Sequence, residues 1–282
     1  MTRKINLHAF SKPDAAARAG LLRRAEADIE PFLEKVRPII AAVKDEGDVA
    51  LARFAREFDK SPVNPDAIAA RPQDFDDALV RLDQDVLKAL EFAVESIRKF
   101  HQDQKPEEMW LHEIRPGAFA GDRFLPIQSV ACYVPRGKGA FPSVVMMTTI
   151  PAVVAGVKEI CIVTPPGPDG KIDDATLVAA RLAGVQNVYK CGGAQAVAAV
   201  AYGTDTIKKC VKIVGPGSPW VIAAKRLLSD IIDPGIPAGP SECIILCDET
   251  ADGRLAALDL LIEAEHGPDS SAYLVTDSEK VA

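Results

Sequence analysis

The sequence has no apolar run long enough to cross a membrane. Its most apolar window, Phe141 to Val157, is interrupted by Pro142, Pro151 and Gly156 and carries Thr148 and Thr149. A spanning helix needs about 20 consecutive apolar residues, so the window reads as a buried helix. No stretch of signal-peptide type follows the opening Met1-Thr2-Arg3-Lys4-Ile5-Asn6. The six cysteines (132, 161, 191, 210, 243 and 247) include no Cys-x-x-Cys pair. A disulfide framework does not suit a chain of this size without secretion signals, so they read as small core hydrophobes in a cytoplasmic protein. Basic charge is not in excess either: 33 Lys and Arg stand against 40 Asp and Glu, a net charge of -7. That balance speaks against a nucleic-acid partner, which needs dense Lys/Arg patches. Finally, no Gly-x-Gly-x-x-Gly follows any candidate strand, so the usual dinucleotide fingerprint is missing.

What is present divides by pattern. A length of 282 residues exceeds what one core usually serves. The first half carries apolar residues at helical spacing over Arg18 to Val43, Ala50 to Phe58 and Gln84 to Phe100, with Gly47 as a breaker and Asp48 as the expected N-cap of the second segment. Met109 to Phe124 loses that period and reads as a hairpin connector.

From Ser129 onward strands and helices alternate. Strands are expected at 130–134, 159–163, 187–189, 212–214, 243–247 and 272–275. Helices are expected at 142–154, 174–183, 195–202, 219–228 and 254–265, with Pro151 kinking or ending the first of these. This alternation predicts an α/β fold with a parallel, doubly wound sheet behind a helical N-terminal region. The expected division is 1–127, helical with part of a first domain; 128–240, a Rossmann-like α/β domain; and 241–282, returning to the first domain. Such sheets bind ligands in the crevice at the carboxyl ends of their strands.

Four loops are therefore singled out: Tyr133 to Ser143, Gly192 to Ala196, Gly215 to Ser218 and Pro237 to Glu242. Each by itself could be an ordinary turn. Four at one sheet edge would suit a nucleotide-sized ligand, the second and third offering helix N-termini to phosphate. Arg136 and Lys138 read either as solvated charges or as partners of a pyrophosphate or anionic substrate. Glu263 and His266, three apart at a helix end, share a face and could both reach a zinc ion. Read without context, the same pair fits a helix-terminal His stabilised by the dipole.

In order, the motifs Tyr-Val-Pro (133–135), Gly-Gly-Ala-Gln-Ala (192–196), Ala-Tyr-Gly-Thr (201–204), Val-Gly-Pro-Gly (214–217), Ala-Ala-Lys-Arg (223–226), Ala-Gly-Pro-Ser-Glu (238–242) and Ala-Glu-His-Gly-Pro-Asp-Ser (264–270) resemble the histidinol dehydrogenase family. The resemblance runs from about Met109 to the last residue. It implies two incomplete Rossmann-like domains, a homodimer, a zinc ion that holds an amino-alcohol substrate, and NAD used in two successive oxidations from alcohol to acid. It further implies NAD contacts at Tyr133, Gln195 and Ser218, substrate contact at Ser241, and both zinc and substrate contact at Glu263 and His266. The family's catalytic Glu-His pair falls beyond Ala282, so the resemblance implies an incomplete chain, inactive alone.

Three departures mark this sequence: Ser218 where the family usually has Asn, Glu263 where it has Gln, and Pro135-Arg136-Gly137 where it has Pro-Gly-Gly. They leave room for a paralogue acting on another polar primary alcohol. A non-catalytic nucleotide-binding module and a plain interaction domain are the readings of other classes.

Overall fold

The computed structural model describes residues 5–9, 15–22, 29–136, 139–236, 238, 241–266 and 270–282. Two compact units form, one of Asp28–Ala238 and one of Met1–Ala27 with Gly239–Ala282.

The larger unit is built on a four-stranded parallel sheet, β3 (Ser129–Tyr133), β4 (Glu159–Thr164), β5 (Val188–Lys190) and β6 (Lys212–Val214), in the order β5-β4-β3-β6. Every residue of β3 is buried, as an interior parallel strand covered on both faces should be. Side chains alternate across it: Ala131 and Tyr133 join one core, Val130 and Cys132 the other. The first core is closed by α2 (Glu30–Glu46), α3 (Asp48–Phe58), α8 (Gly193–Tyr202) and α9 (Pro219–Leu227). The second is closed by α4 (Pro72–Arg81), α5 (Gln84–Gln104), α6 (Pro142–Ala155) and α7 (Asp174–Ala183). The free edge of β5 is partly covered, since Ala70 N–H donates to the Val188 carbonyl and Lys190 N–H to that of Ile68.

Several local expectations are corrected. The segment expected as one helix from Arg18 to Val43 contains two, α1 (Ala15–Leu21) and α2, with Pro31 in the first turn of α2; residues 23–28 lie outside the described residues. Asp48 does not cap α3. Gly47 occupies that position and Asp48 is the first helical residue, its buried carboxylate accepting from Thr206 N at 3.0 Å and Thr206 Oγ1 at 2.5 Å. Tertiary pairing has outcompeted the local cap. Pro151 does not end α6, which continues to Ala155 and closes on Gly156 in the left-handed region. Helix α4 was not anticipated. It is polar, but Phe75 and Ala78 reach the core, and Arg81 grips Asp174 of α7 with bonds of 2.9 and 2.6 Å.

Met109 to Phe124 is a hairpin, β1 (Met109–Arg115) paired with β2 (Ala118–Arg123), exposed on every residue including Trp110, Leu111, Ile114 and Phe119. In the smaller unit β7 (Glu242–Cys247) and β8 (Ser271–Thr276) pair in parallel, linked by α10 (Gly253–Ala264), whose first turn is capped by the Asp252 carboxylate accepting from Arg254 N. All six cysteines are free, and Cys132, Cys161, Cys191 and Cys210 are buried, as core use requires. No helix among the described residues is long and apolar enough to cross a membrane.

The sheet core should govern stability. Ile162, fully buried in β4, leaves a cavity when shortened. Ile162→Ala is expected to lower the unfolding free energy by about 3–4 kcal/mol and Ile162→Val by about 1 kcal/mol, measured by urea denaturation.

Candidate functional site

In the strand order β5-β4-β3-β6 the connections reverse direction between β3 and β6, which makes the carboxyl ends of those strands the crevice for a ligand. Tyr133 ends β3 there. It is 4% exposed, and its hydroxyl accepts from Gly193 N at 2.9 Å. Gly193 opens α8, so Tyr133 satisfies one of the helix's orphan amides. Burial pushes the Tyr133 phenol well above its ordinary value, so the hydroxyl keeps its proton and can still donate. Gln195, in the first turn of α8, is buried and folds back toward Gly193: a Cβ placed on Gly193 would lie 2.6 Å from Gln195 Oε1. The helix terminus expected to offer free amides to phosphate is thus partly occupied by the protein itself.

The turn after β6 is built as tightly. Gly215 has φ +109, and a Cβ there would sit 2.2 Å from the Tyr133 carbonyl oxygen, so only glycine fits. Its own carbonyl accepts from Lys225 Nζ at 2.8 Å. Lys225 is 5% exposed, and loss of hydration lowers its amine to about 8. Ser218 is the N-cap of α9. Its carbonyl accepts from Val221 N, its hydroxyl makes no capping bond, and the residue is exposed.

Arg136, beyond β3, is exposed, and its guanidinium lies over Gly167, where a Cβ would meet Nη1 at 2.5 Å. It also acts on a carboxyl that sequence reasoning missed. Asp59, just after α3, is raised to about 6 by desolvation, with Arg136 opposing that shift. Burial raises the Tyr133 phenol and the Cys191 thiol, and the Asp59 charge adds to both shifts. A lone Asp after an ordinary amphipathic helix carries no sequence signal. Lys138 lies outside the described residues.

The expectation of four loops at one edge of one sheet is corrected to three. The fourth loop runs into β7, which begins at Glu242 and pairs with β8 in a different sheet, so Ser241 lies at the amino end of that strand. Residues 237, 239 and 240 are outside the described residues. At this amino end the structure does bring Ser241, Glu263 and His266 together. Ser241 Oγ donates to Glu263 Oε1 at 2.9 Å. Hydrogen bonds from Ser270 and Ser241, with the nearby His266, hold Glu263 below its usual range and ionised. His266 Nδ1 lies 2.8 Å from the Ile262 carbonyl. A carbonyl only accepts, so Nδ1 carries the hydrogen and the neutral ring turns a free Nε2 lone pair outward.

An ionised carboxylate and a free imidazole nitrogen suit zinc in kind and supply half of a four-coordinate shell. Among the described residues no group of three or more His, Cys, Asp or Glu side chains could hold a metal.

A doubly wound parallel sheet with glycine turns at its switch point places the protein in the Rossmann-like α/β class. A family model described as histidinol dehydrogenase matches residues 22–282, and the chain belongs to that family. A protein of Mesorhizobium japonicum named histidinol dehydrogenase homolog 2 is 66% identical over 278 residues, covering 99% of this chain and 63% of its own length. The Synechocystis protein named histidinol dehydrogenase is 50% identical over 262 residues, covering 93% of this chain and 60% of its own. The crystal structure of histidinol dehydrogenase from Elizabethkingia anophelis superimposes with a TM-score of 0.88 at 35% identity, covering 95% of this chain and 62% of that one. The chain therefore spans about three fifths of the length of these relatives.

Asp59 gives this edge a pH signature. Its folded pKa, about 6, exceeds its ordinary value of 3.8, so the folded state holds more protons between those values and stability falls as pH rises through that window. Asp59→Asn is expected to stabilise the protein at pH 7 by about 1–2 kcal/mol, allowing for partial solvent screening. The gain should shrink as pH falls through that window and vanish by about pH 3, where the carboxyl is neutral in both states; thermal melts across pH check this.

Proposed function

We propose that this chain supplies the dinucleotide-binding turns and part of the metal and substrate site of a zinc-dependent, NAD-linked dehydrogenase that oxidises L-histidinol to L-histidine through the aldehyde, in histidine biosynthesis. The observation that carries the reading is the set Ser241–Glu263–His266, in which an ionised carboxylate and an imidazole with its Nε2 lone pair free stand on one helix end. Glu263 and His266 would hold the zinc ion and meet the substrate, with Ser241 contacting the substrate as well. When bound, zinc would supply Lewis-acid polarisation of the alcohol oxygen. Ser241 and Ser270 keep Glu263 aimed and charged, and the Ile262 carbonyl fixes the tautomer of His266.

Tyr133, Gln195 and Ser218 are proposed as NAD contacts. Their support is position: all three lie on the turns around the switch point of the larger sheet. A homodimer is proposed for the complete protein, supported by the exposed apolar side chains of the β1–β2 hairpin. The free cysteines suit a reducing cytoplasm.

A second reading is favoured by Glu263 itself. A carboxylate adds negative charge beside the metal where an amide would not, which suits a paralogue acting on a different polar primary alcohol. Full-length protein with NAD separates the two: NADH formed from L-histidinol supports the first reading, and NADH formed only from another alcohol supports the second. Absence of heat with both NAD and zinc in calorimetry would rule out both. In the full-length protein, Glu263→Ala and His266→Ala are each expected to lower bound zinc severalfold by elemental analysis, His266→Ala at least as strongly. Unchanged zinc content would contradict the metal role.

A further inference from the structure

Arg136 follows β3, yet its exposed guanidinium lies on the loop that follows β4. A Cβ built on Gly167 would stand 2.5 Å from Arg136 Nη1 and 3.0 Å from Nη2. Glycine at 167 leaves that space open, and the loop beneath is fixed by its own bonds. Gly167 N donates to the Lys171 carbonyl at 2.7 Å, and Gly170 N to that of Gly167 at 2.9 Å. Two carboxylates are near, and neither grips the guanidinium. Asp169 Oδ1 accepts from Lys171 N at 3.1 Å, while Lys171, exposed on the same loop, offsets its charge. Asp59 feels Arg136 through charge alone, and its Oδ2 is buried. Arg136 forms an ion pair with neither among the described residues. An exposed arginine fork left in this state is open to an incoming anion.

Strand order says which anion that position would meet. Counted from β3, the order β5-β4-β3-β6 runs third, second, first, fourth, with every neighbouring pair parallel. Dinucleotide-binding sheets share this order. In them the turn after the first strand approaches the pyrophosphate. The end of the second strand meets the 2' position of the ribose, where an acid receives the hydroxyl or a nearby arginine receives a 2'-phosphate. The second strand here is β4, and it runs into Thr164-Pro165-Pro166-Gly167 without an acid. The first acid beyond it, Asp169, is turned onto its own loop. A guanidinium serving the pyrophosphate would stay with the turn between β3 and α6; this one has crossed to the second strand's loop.

We propose that Arg136 receives the 2'-phosphate of a bound nicotinamide dinucleotide, so that the protein takes NADP as well as NAD. The inference rests on the dinucleotide-binding reading above and names the cofactor form that the site accepts. Arg136 stands where the family pattern has glycine, so this preference would set the chain apart from relatives that keep the glycine.

The test is calorimetry on the full-length protein with NAD and with NADP. Wild type is expected to bind NADP within about threefold of NAD, or more tightly. Arg136→Gly should weaken NADP on the order of tenfold more than NAD, as for loss of a charged hydrogen bond. Arg136→Lys should fall between, since it keeps the charge without the fork. The side chain is exposed and makes no ion pair among the described residues, so both variants are expected to fold. Wild-type NADP binding weaker than that limit overturns the proposal. So does an equal loss of both cofactors in Arg136→Gly, which would put the guanidinium on the pyrophosphate that they share. Wild type that binds neither cofactor would instead sink the dinucleotide-binding reading on which the proposal stands.

Discussion

The ligand edge of the larger unit depends on one residue used twice. The Tyr133 hydroxyl fixes the first amide of α8, and its backbone carbonyl comes so close to Gly215 that the turn after β6 has room only for hydrogen. These two turns flank the point where strand order reverses, and one side chain with its own peptide sets their spacing. Lys225 completes the arrangement by holding the Gly215 carbonyl from beneath. A buried amine with no carboxylate among its described hydrogen-bond partners is costly, and its lowered pKa records that cost. Such a position is tolerable where the backbone it holds must not move.

Donors that open a helix are commonly read as anion sites. In α8 one of them is already taken by Tyr133, and in α9 the first position is Pro219, which has no N–H. Less of the larger unit's edge is therefore available to phosphate than its glycine turns suggest. More of it is committed to rigidity. That distribution accounts for a sheet of this class without the usual glycine fingerprint: close backbone approach is spent on packing turn against strand.

Much of the frame was legible because parallel strands covered on both faces appear as short apolar runs punctuated by Gly and Pro. Helix α7 and strand β6 fall on the residues expected of them, and Gly184 closes α7 in the left-handed region as its position implied. Where reading failed, tertiary structure had overridden a local rule. Asp48 had the chemistry of a cap but found Thr206 far along the chain. Helix α4 was not expected; Phe75 and Ala78 pack it into the core, and ion pairs join it to α7. The turn before Ser241 was assigned to the wrong edge, since order along a chain does not say which sheet a strand joins. Asp59 was invisible for a related reason: the groups that act with it, Arg136 after β3 and Cys191 after β5, are brought near it only by folding.

The end of α10 shows how two readings of one motif cease to compete. A His near a helix C-terminus ordinarily stabilises the last carbonyls, and His266 does this by donating from Nδ1 to Ile262. That same bond decides which ring nitrogen bears hydrogen and keeps the other unprotonated in the neutral ring. The capping role is therefore compatible with the proposed ligand role. Glu263 is treated similarly, since the serine hydroxyls that keep it charged also restrain its direction. Each side chain is oriented by a group that would have no reason to leave if a metal arrived, so binding would require little reorganisation at these two positions. What a carboxylate changes relative to an amide is charge: with Glu263 ionised, a cationic occupant is favoured and an anionic one opposed, and substrates for the proposed site should divide along that line.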